Sequence, residues 1–228
     1  NYKKLFTDTS ILNFPQMFFN TFIIAIFTCI IATIFVLSVA YCMSRMRFKM
    51  RKPFMNFAMI LGLFPSFMSM IAVYYILKAI GLSEGAMIRV ALIIVYSAGT
   101  GVGFYVAKGF FDTIPKALDE AAIIDGATRW QVFTKIVVPL SKPIIVYTII
   151  TSFMSPWLDF IFAKVICRAD AKYYTVSIGL WKMLEKEYID GWYTCFAAGA
   201  VIVSIPIAIL FLATQKFYVD GMSGAVKG

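Results

Sequence analysis

Histidine is absent from all 228 residues. Its absence removes imidazole acid–base catalysis, Ser/His and Cys/His nucleophile pairs, and histidine metal ligands. The four cysteines, Cys29, Cys42, Cys167 and Cys195, show no CxxC spacing, so no metal site is expected. Cys29 and Cys42 lie in or at the edge of an apolar run and read as reduced, small hydrophobic residues. A bridge between Cys167 and Cys195 stays open, since both fall toward one side of the expected topology. No Walker A sequence occurs, so this chain is expected to bind no nucleotide and no cofactor of its own. Charge is scarce as well: Asp, Glu, Lys and Arg make up 14% of the chain, against roughly a quarter in soluble domains.

What the chain has instead is apolar surface, 61% of its residues, with a mean hydropathy of +0.83. Spanning a bilayer takes about 20 consecutive apolar residues, and five stretches qualify: 18–43, 54–77, 86–107, 144–166 and 194–217. The fold expected is all-α, a polytopic transmembrane bundle forming one domain over 1–228. Pro65, Pro156 and Pro206 fall inside these stretches, where neighbouring helices can re-satisfy the freed backbone groups. Gly99 and Gly103 have the spacing that permits close helix approach.

The net charge of +9 does not point to nucleic acid, because the basic residues cluster beside apolar runs. Arg45, Arg47, Lys49, Arg51 and Lys52 crowd the connection between the first two stretches, which places that connection in the cytoplasm. Alternation then puts 78–85 outside, 108–143 inside, 167–193 outside and the tail 218–228 inside. Asn1 falls outside, so a sixth span is expected upstream of it. No basic region leading into a short apolar segment marks a signal peptide.

The inner segment 112–143 reads as helical. Thr113 is the expected cap and Pro115 suits a first turn. Residues 116–125 form a short helix with Leu118, Ala121 and Ala122 on one face, and Gly126 ends it. A second helix starts near Thr128 and runs to Val138, and Pro139 and Pro143 break the chain before the next span. A helix lying on lipid headgroups would carry a Lys/Arg-rich polar face opposite bulky apolar residues. This one has a small apolar face and an acidic start (Asp112, Asp119, Glu120, Asp125), which favours docking onto protein.

Glu120-Ala121-Ala122, three residues, Gly126, nine residues, Ile136, two residues and Pro139 resembles the EAA motif of binding-protein-dependent ABC importer permeases. Val138 departs from the Leu usual there. The ending QKFYVDGMSGAVKG, 215–228, is similar to the tail of carbohydrate permeases of the maltose/maltodextrin type. The resemblance implies a type I importer permease in the bacterial inner membrane, itself non-catalytic. It implies partners: a second permease subunit, two ATPase subunits carrying ATP and Mg, and a solute-binding protein. Glu120, Ala121, Ala122, Asp125, Gly126, Ile136 and Pro139 would dock the ATPase, with Gly224, Lys227 and Gly228 of the tail reaching into it. The implied cargo is an oligosaccharide moved by alternating access, or another small solute such as a glycerol phosphate.

Charge within the spans is sparse, with Asp159 the main exception, which suits an uncharged solute and disfavours an ion-coupled carrier with its buried carboxylates and repeated halves. Asp159 could also pair with Lys164 or with a neighbouring helix. Tyr96, Ser152, Trp157 and Asp159 are the candidate substrate path, against the plainer reading of aromatic residues as interfacial anchors.

Overall fold

The computed structural model describes residues 1–63, 66–99, 103–168 and 170–225, with backbone alone for Ser66, Phe67 and 218–225. Every regular element among them is helical. In chain order these are α1 (Tyr2–Thr7), α2 (Phe14–Arg45), α3 (Arg51–Gly62), α4 (Ser66–Ala79), α5 (Met87–Gly99), α6 (Gly103–Thr113) and α7 (Lys116–Ile124). There follow α8 (Arg129–Val132), a π turn (Phe133–Val137), α9 (Val138–Leu140), α10 (Lys142–Leu158), α11 (Ile161–Cys167), a 3₁₀ turn (Ala171–Tyr173), α12 (Val176–Met183) and α13 (Ile189–Ala225).

The 32-residue α2 is the axis of the bundle, packed against α5, α6 and α10. Asn13 starts it, its Oδ1 accepting from Gln16 N at 3.1 Å, with Pro15 in the first turn where its missing N–H costs nothing. Thr21, Ala25, Thr28, Ala32, Val36 and Ala40 recur every three or four residues and are all buried. This stripe of small side chains lets the neighbouring helices approach closely. Phe19, Phe22, Phe27, Ile30, Ile34 and Phe35 face outward and are exposed. Only an apolar solvent or a partner accounts for so much exposed apolar surface. Two apolar clusters are strung along this axis. One gathers Phe14, Ile24, Leu92, Trp157 and Ile178; the other gathers Val36, Tyr41, Phe104, Phe111, Val132 and Val137.

Continuity differs from expectation. Among the described residues, only α2 and Ile189–Phe217 of α13 are single helices long and apolar enough to cross a membrane. The stretch 54–77 is divided between α3 and α4, with Pro65 outside the described residues. The stretch 86–107 is α5 plus α6, inclined by 43°, and α6 runs on to Thr113. The stretch 144–166 breaks at Asp159: Pro156 cannot bond to the Ser152 carbonyl, and α10 ends two residues later. Counting α5 with α6, and Arg129–Leu140 with α10, as one span each, up to four segments among the described residues are long and apolar enough to cross.

Among the described residues, Gly99 and Gly103 do not mediate a close approach. A Cβ at Gly99 would meet nothing within 4 Å, and one at Gly103 would sit 3.9 Å from Val36 Cγ2. The close approaches lie elsewhere, at Gly179 against Met17 and at Gly199 against Leu180 and Phe14. The Cys167–Cys195 bridge is also absent. All four cysteines are free, Cys167 bonding toward Tyr173 O and Cys195 toward Asn1 O.

Candidate functional site: the inner loop and its anchorage

The short helix α7 has clear local causes. Pro115 occupies its N-cap with extended backbone. Thr113 is not the cap. It belongs to α6, and its hydroxyl donates back to Phe110 O at 2.7 Å. At the far end Gly126 takes φ +86°, a conformation that penalises any Cβ. Gly126 N donates to Ile123 O at 3.0 Å and Ala127 N to Ala122 O at 2.9 Å, the paired bonds of a Schellman stop. Thr128 then opens α8 with a capping box: Gln131 N donates to Thr128 Oγ1, and Thr128 N to Gln131 Oε1.

The following helix does not stop at Val138. It passes through Pro139 and ends at Leu140, after which the chain turns by 81° into α10. Pro139 has no N–H for the Lys135 carbonyl, and its ring crowds that oxygen. The widened π turn at Phe133–Val137 relieves both. Pro143 lies in the first turn of α10 and breaks nothing.

None of the residues of α7 is buried. Glu120, Ala121, Asp125 and Gly126 are exposed, Ala122 is half-buried against the second cluster, Ile136 is half-buried and Pro139 exposed. The apolar face is bulkier than expected. Leu118 and Ile123 are exposed, Ile124 is 85% exposed, and Trp130 just beyond is 70% exposed. Glu120 makes no ion pair among the described residues, where the ion pairs are Arg45–Asp119 and Lys108–Asp112.

The loop is held by the end of α2. Arg45 Nε lies 3.1 Å from Asp119 Oδ2, with side chains 4% and 13% exposed. Arg45 Nη2 donates to Ile114 O at 2.9 Å, just ahead of α7. Ser44 Oγ donates to Asp112 Oδ1 at 2.6 Å, and Lys108 Nζ reaches Asp112 Oδ2 at 2.5 Å. Burial raises the Asp112 pKa, but the Lys108 and Ser44 hydrogen bonds and the Lys108 and Arg51 charges outweigh it, leaving the carboxyl below its ordinary 3.8. Tyr41 packs against Phe133 with the rings tilted by 46° and centroids 4.6 Å apart, and its hydroxyl donates to Arg129 O at 3.3 Å. The sequence alone had counted Arg45 among the solvated charges of a basic loop; no periodicity signals a pairing across 74 positions.

The candidate substrate-path residues cluster only in part. Tyr96 Oη donates to Asp159 Oδ2 at 2.7 Å. The same carboxylate accepts from Phe162 N at 3.2 Å and Ala163 N at 2.9 Å, capping α11. Asp159 therefore does not pair with Lys164, whose Nζ sits over the Tyr174 ring at 5.0 Å. Ser152 and Trp157 are buried, and Trp157 packs edge-on against Phe18. Ser152 Oγ and Trp157 Nε1 have no hydrogen-bond partner among the described residues. Trp157 and Asp159 border a broad open cleft of about 610 Å³ shared with Phe160, Ser177 and Trp181. Of the tail residues, Gly224 lies within α13, while Lys227 and Gly228 fall outside the described residues. Among the described residues no cluster of acidic or cysteine side chains could hold a metal.

The chain is 35% identical over 230 residues to the galactooligosaccharides transport system permease protein GanQ of Bacillus subtilis (strain 168), covering 100% of this chain and 80% of that protein. It is 32% identical to the maltodextrin transport system permease protein MdxG of the same strain, with 100% and 80% covered. The maltose/maltodextrin transport system permease protein MalG of Yersinia pestis is 34% identical, with 94% and 72% covered. In fold the chain is similar to a crystal structure of a bacterial ABC transporter involved in the import of the acidic polysaccharide alginate. The TM-score is 0.77 at 24% identity, covering 95% of this chain and 78% of that one. Residues 37–223 match the family described as binding-protein-dependent transport system inner membrane component. The chain belongs to that family, as a non-catalytic inner-membrane permease component of an ABC importer.

Proposed function

We propose that this chain is one of two permease subunits of an importer that moves an oligosaccharide into the cytoplasm by alternating access, driven by two separate ATPase subunits docked on the 112–143 loop. The presentation of α7 carries this reading. A capped helix of nine residues with no buried residue stands on the end of the bundle and offers Glu120, Ala121, Leu118 and Ile124 outward. Its exposed bulk could also rest on lipid, but its charges oppose that. Lys116 is outnumbered by Asp119, Glu120 and Asp125, and anionic headgroups repel such a helix. A basic ATPase groove would accept it.

The relatives' names support an oligosaccharide as cargo, galacto-oligosaccharide and maltodextrin being their stated substrates. Five spans lie in this chain, the broken stretches 54–77, 86–107 and 144–166 each counting as one. A solute-binding protein delivers cargo to the face bearing α12. ATP and Mg reside on the ATPase subunits, and this chain holds no cofactor.

Replacing Glu120 with Lys tests the docking. Uptake into proteoliposomes of the assembled complex should fall at least about tenfold, the scale set by reversing one desolvated charge pair at an interface. Unchanged uptake, or wild-type chain purifying without any ATPase subunit, would refute the reading.

A further inference from the structure

We propose that the Arg45–Asp119 pair is the joint that passes motion of α7 into α2, a positioning role that rests on α7 being the docking helix. With no buried residue, α7 touches the bundle chiefly through the half-buried Ala122 and through Asp119. Its ends can swing. Gly126 forms the turn at one, and Ile114–Pro115 forms the other, where Arg45 Nη2 holds the Ile114 carbonyl. One guanidinium thus grips both the approach to α7 and its first turn. It is rooted in the last residue of a helix that runs unbroken through the bundle.

The pair is also half-made. Arg45 Nε and Nη1 and Asp119 Oδ1 are buried without a hydrogen-bond partner among the described residues, and the 3.1 Å contact is ionic rather than aligned. A guanidinium and a carboxylate bond most strongly as a two-pronged fork. A buried pair that leaves those prongs unused is held above its best energy. A small slide of α7 along the end of α2 would bring the free prongs together. That gives the joint two arrangements, this one and a bidentate one, which a force on α7 selects between. Coupling between distant sites requires such an element, with discrete states that both sites bias.

The test is made on the assembled complex in proteoliposomes, following uptake and ATP hydrolysis together. Arg45→Lys keeps the charge but lacks the fork, and Asp119→Asn keeps the shape but lacks the charge. Each should lower the uptake obtained per ATP hydrolysed by about tenfold, within the usual range of inter-site coupling. The amount of assembled complex should stay the same. The exchanged pair Arg45→Asp with Asp119→Arg should recover part of that ratio. Two results overturn the proposal. One is an unchanged ratio. The other is uptake and hydrolysis falling in step with the amount of complex, the mark of a merely structural staple. In either case ATPase subunits that still co-purify leave the docking reading intact. Their loss from wild-type chain would instead remove the premise.

Discussion

Replacing Asp159 with Ala should loosen the break between α10 and α11 more than any neutral substitution nearby. A chain interruption at membrane depth finds no acceptors in lipid, so its backbone N–H groups need protein acceptors or a wet cavity. Asp159 serves three donors: Tyr96 Oη at 2.7 Å, Phe162 N at 3.2 Å and Ala163 N at 2.9 Å. Its own carbonyl accepts from Ser177 Oγ at 2.5 Å, which ties the break to α12. Losing an N-cap costs about 1 kcal/mol. A hydrogen bond to a charged group is worth about 1.5–3 kcal/mol. Asp159→Ala should therefore cost about 3 kcal/mol once the relief of a partly buried charge is allowed for.

At about 2–4 °C per kcal/mol for a chain of this length, the apparent Tm of the detergent-solubilised subunit should drop by about 6–12 °C. Asp159→Asn keeps one acceptor oxygen for the α11 cap and should lose about 1 kcal/mol, while Tyr96→Phe should lose about 1–2 kcal/mol. In the Ala background, Tyr96→Phe should cost almost nothing more, because the partner has already gone. Strict additivity of the two changes would refute the shared-carboxylate reasoning, as would an Asp159→Ala variant melting like wild type.

Gly126→Ala should weaken the inner loop. The added Cβ meets nothing within 4 Å, so the penalty is the φ of +86° alone, about 1–2 kcal/mol. Gly126→Asn should cost less, and ATPase co-purification should rank the three chains Gly, Asn, Ala; an equal yield for Ala would sink the claim. The lowered pKa of Asp112 sets a pH window. The stabilisation it reports is fully present above the ordinary 3.8 and is lost as pH falls through the depressed folded value. The Tm difference between wild type and Asp112→Asn should therefore stay constant from about pH 5 upward and close in stronger acid. A difference that changes near neutrality would show that another group holds Ser44 and Lys108.

Much of this molecule can be read along the chain because its causes are local. The apolar runs of α2 and α13, the glycine that stops α7 and the Thr128–Gln131 box each sit within a few residues of what they control. Breaks inside apolar runs were harder to see. Pro156 signals strain, but only the rescue by Tyr96 and Ser177, from elsewhere in the chain, decides that the helix ends at Leu158 instead of bending through. Gly99 and Gly103 had the spacing of a packing motif, yet the small stripe that packs is on α2, built from Ala and Thr. The anchorage of the inner loop was invisible for the same reason. Ser44 meets Asp112 across 68 positions, and Arg45 reads in isolation as one more solvated cation.

These long-range contacts give α2 a particular mechanical standing. At its far end Asn20 Nδ2 donates to Lys172 O at 2.9 Å and Tyr174 O at 3.1 Å, and Asn20 Oδ1 accepts from Arg89 Nε at 3.0 Å. One residue on, Thr21 Oγ1 accepts from Val176 N at 2.8 Å, fixing the start of α12. At the near end, Ser44 and Arg45 grip the segment around α7. Twenty-five residues of unbroken helix separate Asn20 from Arg45, about 38 Å at about 1.5 Å per residue. The apolar stretch of α10 and α11, by contrast, is interrupted at Asp159. A rod locked at both ends transmits a tilt without absorbing it. A displacement of α7 should therefore be felt at α12 through α2 more directly than through α10–α11.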